Sequence, residues 1–167
     1  MGEYFWTPDM FRRSAYKGKV ELMFLGQFEH TIDEKGRITF PSRFRELLSD
    51  GAYVTAGLDK NLLVMTTSRF NQLFEHINSM NSGDPRVREY RRFTFSRAAK
   101  IEFDSAGRFI IPPVLREAAQ LVNAAVVVGV GTDIEIWSQE LWEAQDKIMD
   151  EPENSTKTFE SLDLSLP

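Results

Sequence analysis

Residues 33–37 read DEKGR, and residues 104–108 read DSAGR. Asp-x-x-Gly-Arg therefore occurs twice in a chain of 167 residues, 71 positions apart. The same offset aligns Pro41 with Pro112, Phe44 with Leu115, and Arg45-Glu46 with Arg116-Glu117. Further on the offset becomes 72: AYVTAGL at 52–58 meets AAVVVGV at 124–130, and LLVM at 62–65 meets IEIW at 134–137. The chain is two copies of one unit, with one register change in a loop.

Each copy has the same grammar. An alternating stretch leads in (Phe28, His30, Ile32; Ile101, Phe103), followed by a turn and a short strand, RITF or RFII. A proline then starts a short helix, FRELL or VLREAA, with Phe44, Leu47 and Leu48 or Leu115, Ala118 and Ala119 on one face. Two further strands flank the turns LDKN and GTD. A closing helix carries Phe70, Leu73, Phe74 and Ile77 in copy one; in copy two it starts at the capping residue Ser138 before Leu141 and Trp142. The pattern predicts an α+β, β-rich fold with helices after each repeat.

Asp at the start of a tight turn accepts from backbone N–H groups ahead of it, and Gly supplies the positive φ such a turn demands. Asp33 with Gly36, and Asp104 with Gly107, are thus turn builders. The arginine that follows brings a planar fork of five donors that is always charged. It can serve structure, pairing with its own aspartate or with a carboxylate across a subunit boundary, or recognition, reaching into a DNA groove to meet guanine. Lys35 in the first turn suits a phosphate. Its counterpart is Ala106, and Glu34 corresponds to Ser105, so unequal roles for the two turns are expected.

Composition narrows the classes. The net charge is −5, but from Asp150 onward five acids face one lysine, while Arg86 to Lys100 holds six basic residues against Glu89. A basic segment is present behind an acidic total. Arg91 and Arg92 within it can face DNA or the acidic neighbours of a subunit seam. Cys is absent, which excludes disulfides and thiolate metal sites, and His30 and His76 stand at no metal-ligand spacing. No cofactor is implied. The longest apolar run, at 124–131, is too short to span a bilayer, and the first residues lack the apolar core of a secretory signal. GVGTDI at 129–134 lacks the third glycine of a dinucleotide fingerprint, and no G-x-S-x-G is present, so an enzyme is not expected.

The stretches FLGQFEHTIDEKGRITFPSRFRELL from Phe24 and FSRAAKIEFDSAGRFIIPPVLREAA from Phe95 resemble the MraZ family of bacterial regulators, within the AbrB-like swapped-hairpin group. The resemblance covers roughly residues 23–145. It implies tandem AbrB-like (SpoVT-AbrB) domains forming a swapped-hairpin, double-psi-like barrel, and assembly of a homo-oligomer into a ring. It also implies a cytoplasmic, nucleoid-associated DNA-binding regulator. Such a protein, a repressor by expectation, binds direct repeats of double-stranded DNA in the promoter of its own division and cell-wall gene cluster. The family's motif positions carry over to Asp33, Arg37, Asp104 and Arg108, and relatives with an arginine in the next helix point to Arg45 and Arg116. The division expected is an N-terminal extension at 1–22, domains at 27–69 and 98–141, a linker at 78–88, and an acidic, disordered tail at 150–167. Two rivals remain: an oligomeric interaction scaffold of the same fold that reads no DNA, and an antitoxin-like relative. The second is disfavoured because such antitoxins usually carry one copy.

Overall fold

The computed structural model describes residues 23–160 and 162. Copy one supplies β1 (Phe24–Thr31), β2 (Arg37–Thr39), α1 (Ser42–Leu47), β3 (Ala52–Ala56), β4 (Leu62–Thr66) and α2 (Thr67–Ser79). After α3 (Pro85–Phe95), copy two supplies β5 (Ala99–Ile101), β6 (Arg108–Ile110), α4 (Pro113–Ala118), β7 (Ala124–Gly131), β8 (Ile134–Ser138) and α5 (Gln139–Asp150). A last helix, α6 (Pro152–Phe159), follows.

The two copies interleave. The six-stranded antiparallel sheet runs β1-β7-β8-β4-β3-β5, and a separate two-stranded ribbon pairs β2 with β6. Exchanging each strand for its counterpart in the other copy reverses the sheet order without changing it. A pseudo-two-fold axis therefore passes between β4 and β8, and through the ribbon. Among the strands of the described residues, only the hairpins β3–β4 and β7–β8 pair within a copy; the other strand pairings join the two. Neither repeat keeps its sheet without the other.

The strand residues alternate between two covered faces. Val54, Ala125, Val127, Ile134 and Ile136 point into the main core, with Ile38 and Phe109 of the ribbon and Phe44 and Leu115 of α1 and α4. On the opposite face Val126, Val128 and Trp137 pack under Leu141 and Trp142 of α5. There too Tyr53 stacks on Phe70 of α2, and Thr55 donates to the Thr94 carbonyl of α3. A strand covered on both sides needs apolar residues at nearly every position, which explains the unbroken run AAVVV.

Three features depart from the sequence expectation. Pro41 caps α1 rather than opening it, whereas Pro113 does stand in the first turn of α4. The linker is confined to residues 80–84, because α2 continues to Ser79 and Asp84-Pro85 starts α3; the Asp84 carboxylate accepts from Arg86 N–H at 2.9 Å. Finally, residues 152–159 are helical where a disordered tail is predicted. Net charge hid the Glu151-Pro152 pair, which sets proline at a helix start. The N-terminal extension, residues 1–22, lies outside the described residues. The change of offset is the loop after the short helix, one residue longer between α4 and β7 than between α1 and β3.

Candidate nucleic-acid interface

Both Asp-x-x-Gly-Arg stretches form the same turn. In copy one, Asp33 Oδ1 accepts from the N–H of Lys35 (3.0 Å) and of Arg37 (2.9 Å), and Oδ2 accepts from Arg37 Nε at 2.7 Å. Gly36 N–H donates to the Asp33 carbonyl, and Asp33 N–H to the Arg37 carbonyl, at 2.8 and 3.1 Å. In copy two, Asp104 Oδ1 accepts from Ala106 and Arg108 N–H at 3.0 and 2.9 Å, and Oδ2 from Arg108 Nε at 2.9 Å. The two glycines have φ of +75° and +73°, the left-handed region that the sequence reading assigned to them. The backbone N–H of the motif arginine, above all, holds each carboxyl below the ordinary carboxylate range, with that arginine's side chain adding to it.

The aspartates thus fix the arginines. Of the two roles weighed for the arginine, the pairing with its own aspartate is present. It does not consume the fork: Arg37 is held through Nε, and its terminal nitrogens make no hydrogen bond among the described residues. In copy two, Arg108 Nη2 also lies 2.9 Å from Asp104 Oδ2. A half-buried guanidinium already fixed at Nε presents its remaining donors at little further cost in side-chain entropy.

The register of the ribbon decides where these arginines point. Arg37 stands opposite Ile110, Ile38 opposite Phe109, and Thr39 opposite Arg108. Residues directly opposite share a face, and the faces alternate. Ile38 and Phe109 are buried at 0% and 2% exposure, so Arg37, Thr39, Arg108 and Ile110 together form the outer face. The two arginine positions are offset by two residues along the strands, about 7 Å. The two turns thus contribute to one composite face built from both copies.

Arg45 and Arg116 occupy a different place. A Cβ on Gly107 would lie 2.5 Å from Arg45 Cζ, and one on Gly36 would lie 2.7 Å from Arg116 Cζ. Each helix arginine therefore lies against the turn glycine of the other copy, half-buried, with Arg45 Nε donating to the Phe40 carbonyl at 3.2 Å. Arg116 Nε is buried without a hydrogen-bond partner among the described residues. The turns are stitched across the copies by backbone as well: Ile111 N–H donates to the Gly36 carbonyl at 2.9 Å and Phe40 N–H to that of Gly107 at 3.4 Å. These two arginines position the turns and add positive charge beneath them.

Around this face the copies differ. Lys35, Glu34 and Arg43 are exposed; the copy-two equivalents Ala106, Ser105 and Val114 are exposed too, but uncharged. Thr39 and Ile110 were not singled out in the sequence. Their signal is alternation with the buried Ile38 and Phe109, which three-residue strands leave too short to trust. The arginines near the linker are mostly engaged: Arg86 with Asp84 (2.7 Å), Arg88 with the Ser82 and Gly83 carbonyls (3.0 and 2.8 Å), Arg91 with Asn78 (2.9 Å), and Arg97 over the Phe93 ring. Arg92 is exposed. Among the described residues, no group of three or more His, Asp or Glu is placed to hold a metal, and no helix is long and apolar enough to cross a membrane.

The profile of the family described as "MraZ protein, putative antitoxin-like" matches this chain twice, at residues 23–93 and 94–164. The chain belongs to the MraZ family. A protein of Thermomicrobium roseum named transcriptional regulator MraZ is 42% identical over 127 residues, 76% of this chain and 89% of that protein. Proteins of the same name from Herpetosiphon aurantiacus and Desulfitobacterium hafniense are 43% identical over 121 residues and 45% over 120, each covering 72% of this chain and 85% and 84% of their own lengths. The second MraZ match runs to residue 164, past the residues 23–145 over which the resemblance is read from sequence, and takes in α6.

Proposed function

We propose that this chain is a sequence-specific DNA-binding transcriptional regulator whose reading element is the β2–β6 ribbon. The supporting observation is the register that puts Arg37 and Arg108, one from each copy, on a single outward face. A two-stranded ribbon fits the major groove, where an arginine fork meets guanine O6 and N7. Asp33 and Asp104 orient the two forks, Arg45 and Arg116 brace the turns, and Lys35 takes phosphate. The name shared by the three relatives supports a regulator rather than an enzyme.

The interleaved strands support a swapped-hairpin, double-psi-like barrel as the unit. Such units join head to tail into a homo-oligomeric ring, so that successive ribbons engage successive direct repeats in the promoter of the protein's own division and cell-wall gene cluster. Affinity then comes from effective concentration rather than from one ribbon. The protein acts in the cytoplasm at the nucleoid, by expectation as a repressor.

Fluorescence anisotropy tests this on labelled duplex from upstream of the protein's own gene, with scrambled duplex beside it, across a salt series. Wild type is expected to prefer the native duplex and to weaken steeply with salt. Because both arginines share one face, Arg37→Ala or Arg108→Ala alone is expected to remove most of the preference. Each lost bidentate contact corresponds to about 1–3 kcal/mol of discrimination. Equal binding of both duplexes by wild type would refute sequence reading. No binding at low salt would leave the oligomeric scaffold as the better account.

A further inference from the structure

The pseudo-two-fold of the ribbon is broken on its reading face. Arg37 stands opposite Ile110, while Arg108 stands opposite Thr39. Ile110 is 60% exposed although its neighbours Phe109 and Ile111 are buried. A solvent-facing isoleucine between two fully packed residues gains nothing from the core. The same end of the ribbon carries Lys35 in its turn and Val114 at the start of the facing helix; the other end carries Ala106 and Arg43. The two halves of one face thus differ in kind, with an apolar contact beside one arginine and a hydroxyl beside the other.

Resting on the DNA-reading role proposed above, we infer that Ile110 is a base-reading residue: it contacts a thymine methyl next to the guanine held by Arg37, and its mismatch with Thr39 gives the site a direction. In the major groove the thymine C5-methyl is the apolar feature that an aliphatic side chain can recognise. Cross-strand partners stand about 5 Å apart, comparable with the 3.4 Å rise of stacked bases, so Arg37 and Ile110 reach neighbouring base pairs. A symmetric ribbon would favour a palindromic box. This ribbon reads an asymmetric one, the kind that can recur head to tail as direct repeats.

The test uses the full chain and the fluorescein-labelled native duplex, with each thymine in turn replaced by deoxyuridine, which removes only the methyl. For wild type one position is expected to lose about four-fold in affinity, the equivalent of one buried methyl at about 0.8 kcal/mol. Ile110→Ser, which carries no methyl, is expected to bind the unmodified duplex about four-fold more weakly and to be indifferent to deoxyuridine at that position. Thr39→Ile is expected to create sensitivity at a second position on the other side of the box. Melting curves and assembly mass confirm that both outer-face substitutions leave the fold intact. The inference is overturned if no deoxyuridine position affects wild type, or if Ile110→Ser keeps the wild-type pattern. It is also overturned if that variant alters the mass of the assembly but not DNA binding, which would make Ile110 a subunit contact. Wild type that binds no duplex would sink the DNA-reading role itself, a result distinct from binding that ignores the methyl.

Discussion

Replacing Gly107 with Ala separates two costs that the turn combines. The φ of +73° disfavours any side chain, and the new Cβ would meet Arg45 Cζ and Nη1 at 2.5 Å and Nε at 2.7 Å. The left-handed conformation alone costs about 1–2 kcal/mol. The end of a flexible arginine can move aside, so the second cost is the contact given up rather than a rigid clash. Moving Arg45 breaks the 3.2 Å bond from its Nε to the Phe40 carbonyl, about 0.5–1.5 kcal/mol. The sum is about 2–3 kcal/mol, or roughly 5–10 °C in Tm for a chain of this size. Gly131 provides the control: its φ is +89°, yet none of the described residues lies within 4 Å of an added Cβ. Gly131→Ala should therefore cost only the backbone part. Urea unfolding at fixed protein concentration, on Gly107→Ala, Gly131→Ala, Arg45→Ala and the Gly107→Ala/Arg45→Ala pair, gives the coupling. We expect about 1 kcal/mol of coupling at Gly107. Strict additivity, with Gly107→Ala no worse than Gly131→Ala, would refute the idea that the helix arginine braces the opposite turn.

Other expectations follow from the same contacts. Asp33 and Asp104 have carboxyls held below the ordinary value of 3.8, so the folded state binds fewer protons than the unfolded chain; their contribution is present above that value and lost as pH falls through the folded one. An acid titration followed by circular dichroism should be shallower below about pH 4 for Asp104→Ala than for wild type, though from a lower starting stability. His30 is half-buried with Nε2 unpartnered, and burial lowers its pKa; stability should therefore decline as pH falls below about 6.5, and His30→Gln should flatten that slope in urea midpoints. Ser138, 7% exposed, accepts from Leu141 N–H at 3.3 Å, and Ser138→Ala should cost about 1 kcal/mol by the same urea assay. Arg37→Lys keeps the charge but loses the fork, so it should keep the salt dependence of DNA binding while losing the base preference, measured by anisotropy.

The legibility of this fold was uneven for physical reasons. The repeat, the turn glycines and the hairpin turns LDKN and GTD were legible because turns are local: Asp33 and Gly36 do their work within five residues. The interleaving was not written in the residues themselves. Nothing in FLGQFEHT states that it pairs with AAVVVGVG of the other copy rather than its own hairpin, since strand pairing is a long-range choice among compatible apolar faces. The arginines divide along the same line. Arg37 and Arg108 follow local turns, whereas the position of Arg45 against Gly107 exists only once two copies interlock. The linker arginines that charge counting put forward are largely occupied by Asp84, Asn78 and the loop carbonyls, because a helix hairpin needs its own caps and clamps.

Fusion of the two copies carries a consequence that two identical chains could not share. In a dimer of identical chains every residue on the axis meets its own copy, so Thr39 would face the arginine at both ends or Ile110 at both. Joining the copies by the α2–α3 hairpin lets the buried positions keep their symmetry while the exposed ones diverge. Ile38 and Phe109 both remain in the core, and Asp33 and Asp104 keep the same bonds to within about 0.2 Å. The differences in charge and polarity on the outer face and its rim include Glu34 and Ser105, Lys35 and Ala106, Thr39 and Ile110, and Arg43 and Val114, whereas buried pairs such as Ile38 and Phe109 or Phe44 and Leu115 exchange one apolar residue for another. Folding constrains the first set: Ile38 stands against Phe109 across the axis, and each aspartate holds its own turn. What constrains the second set is whatever the face touches, and a directional DNA box needs that face to differ end from end.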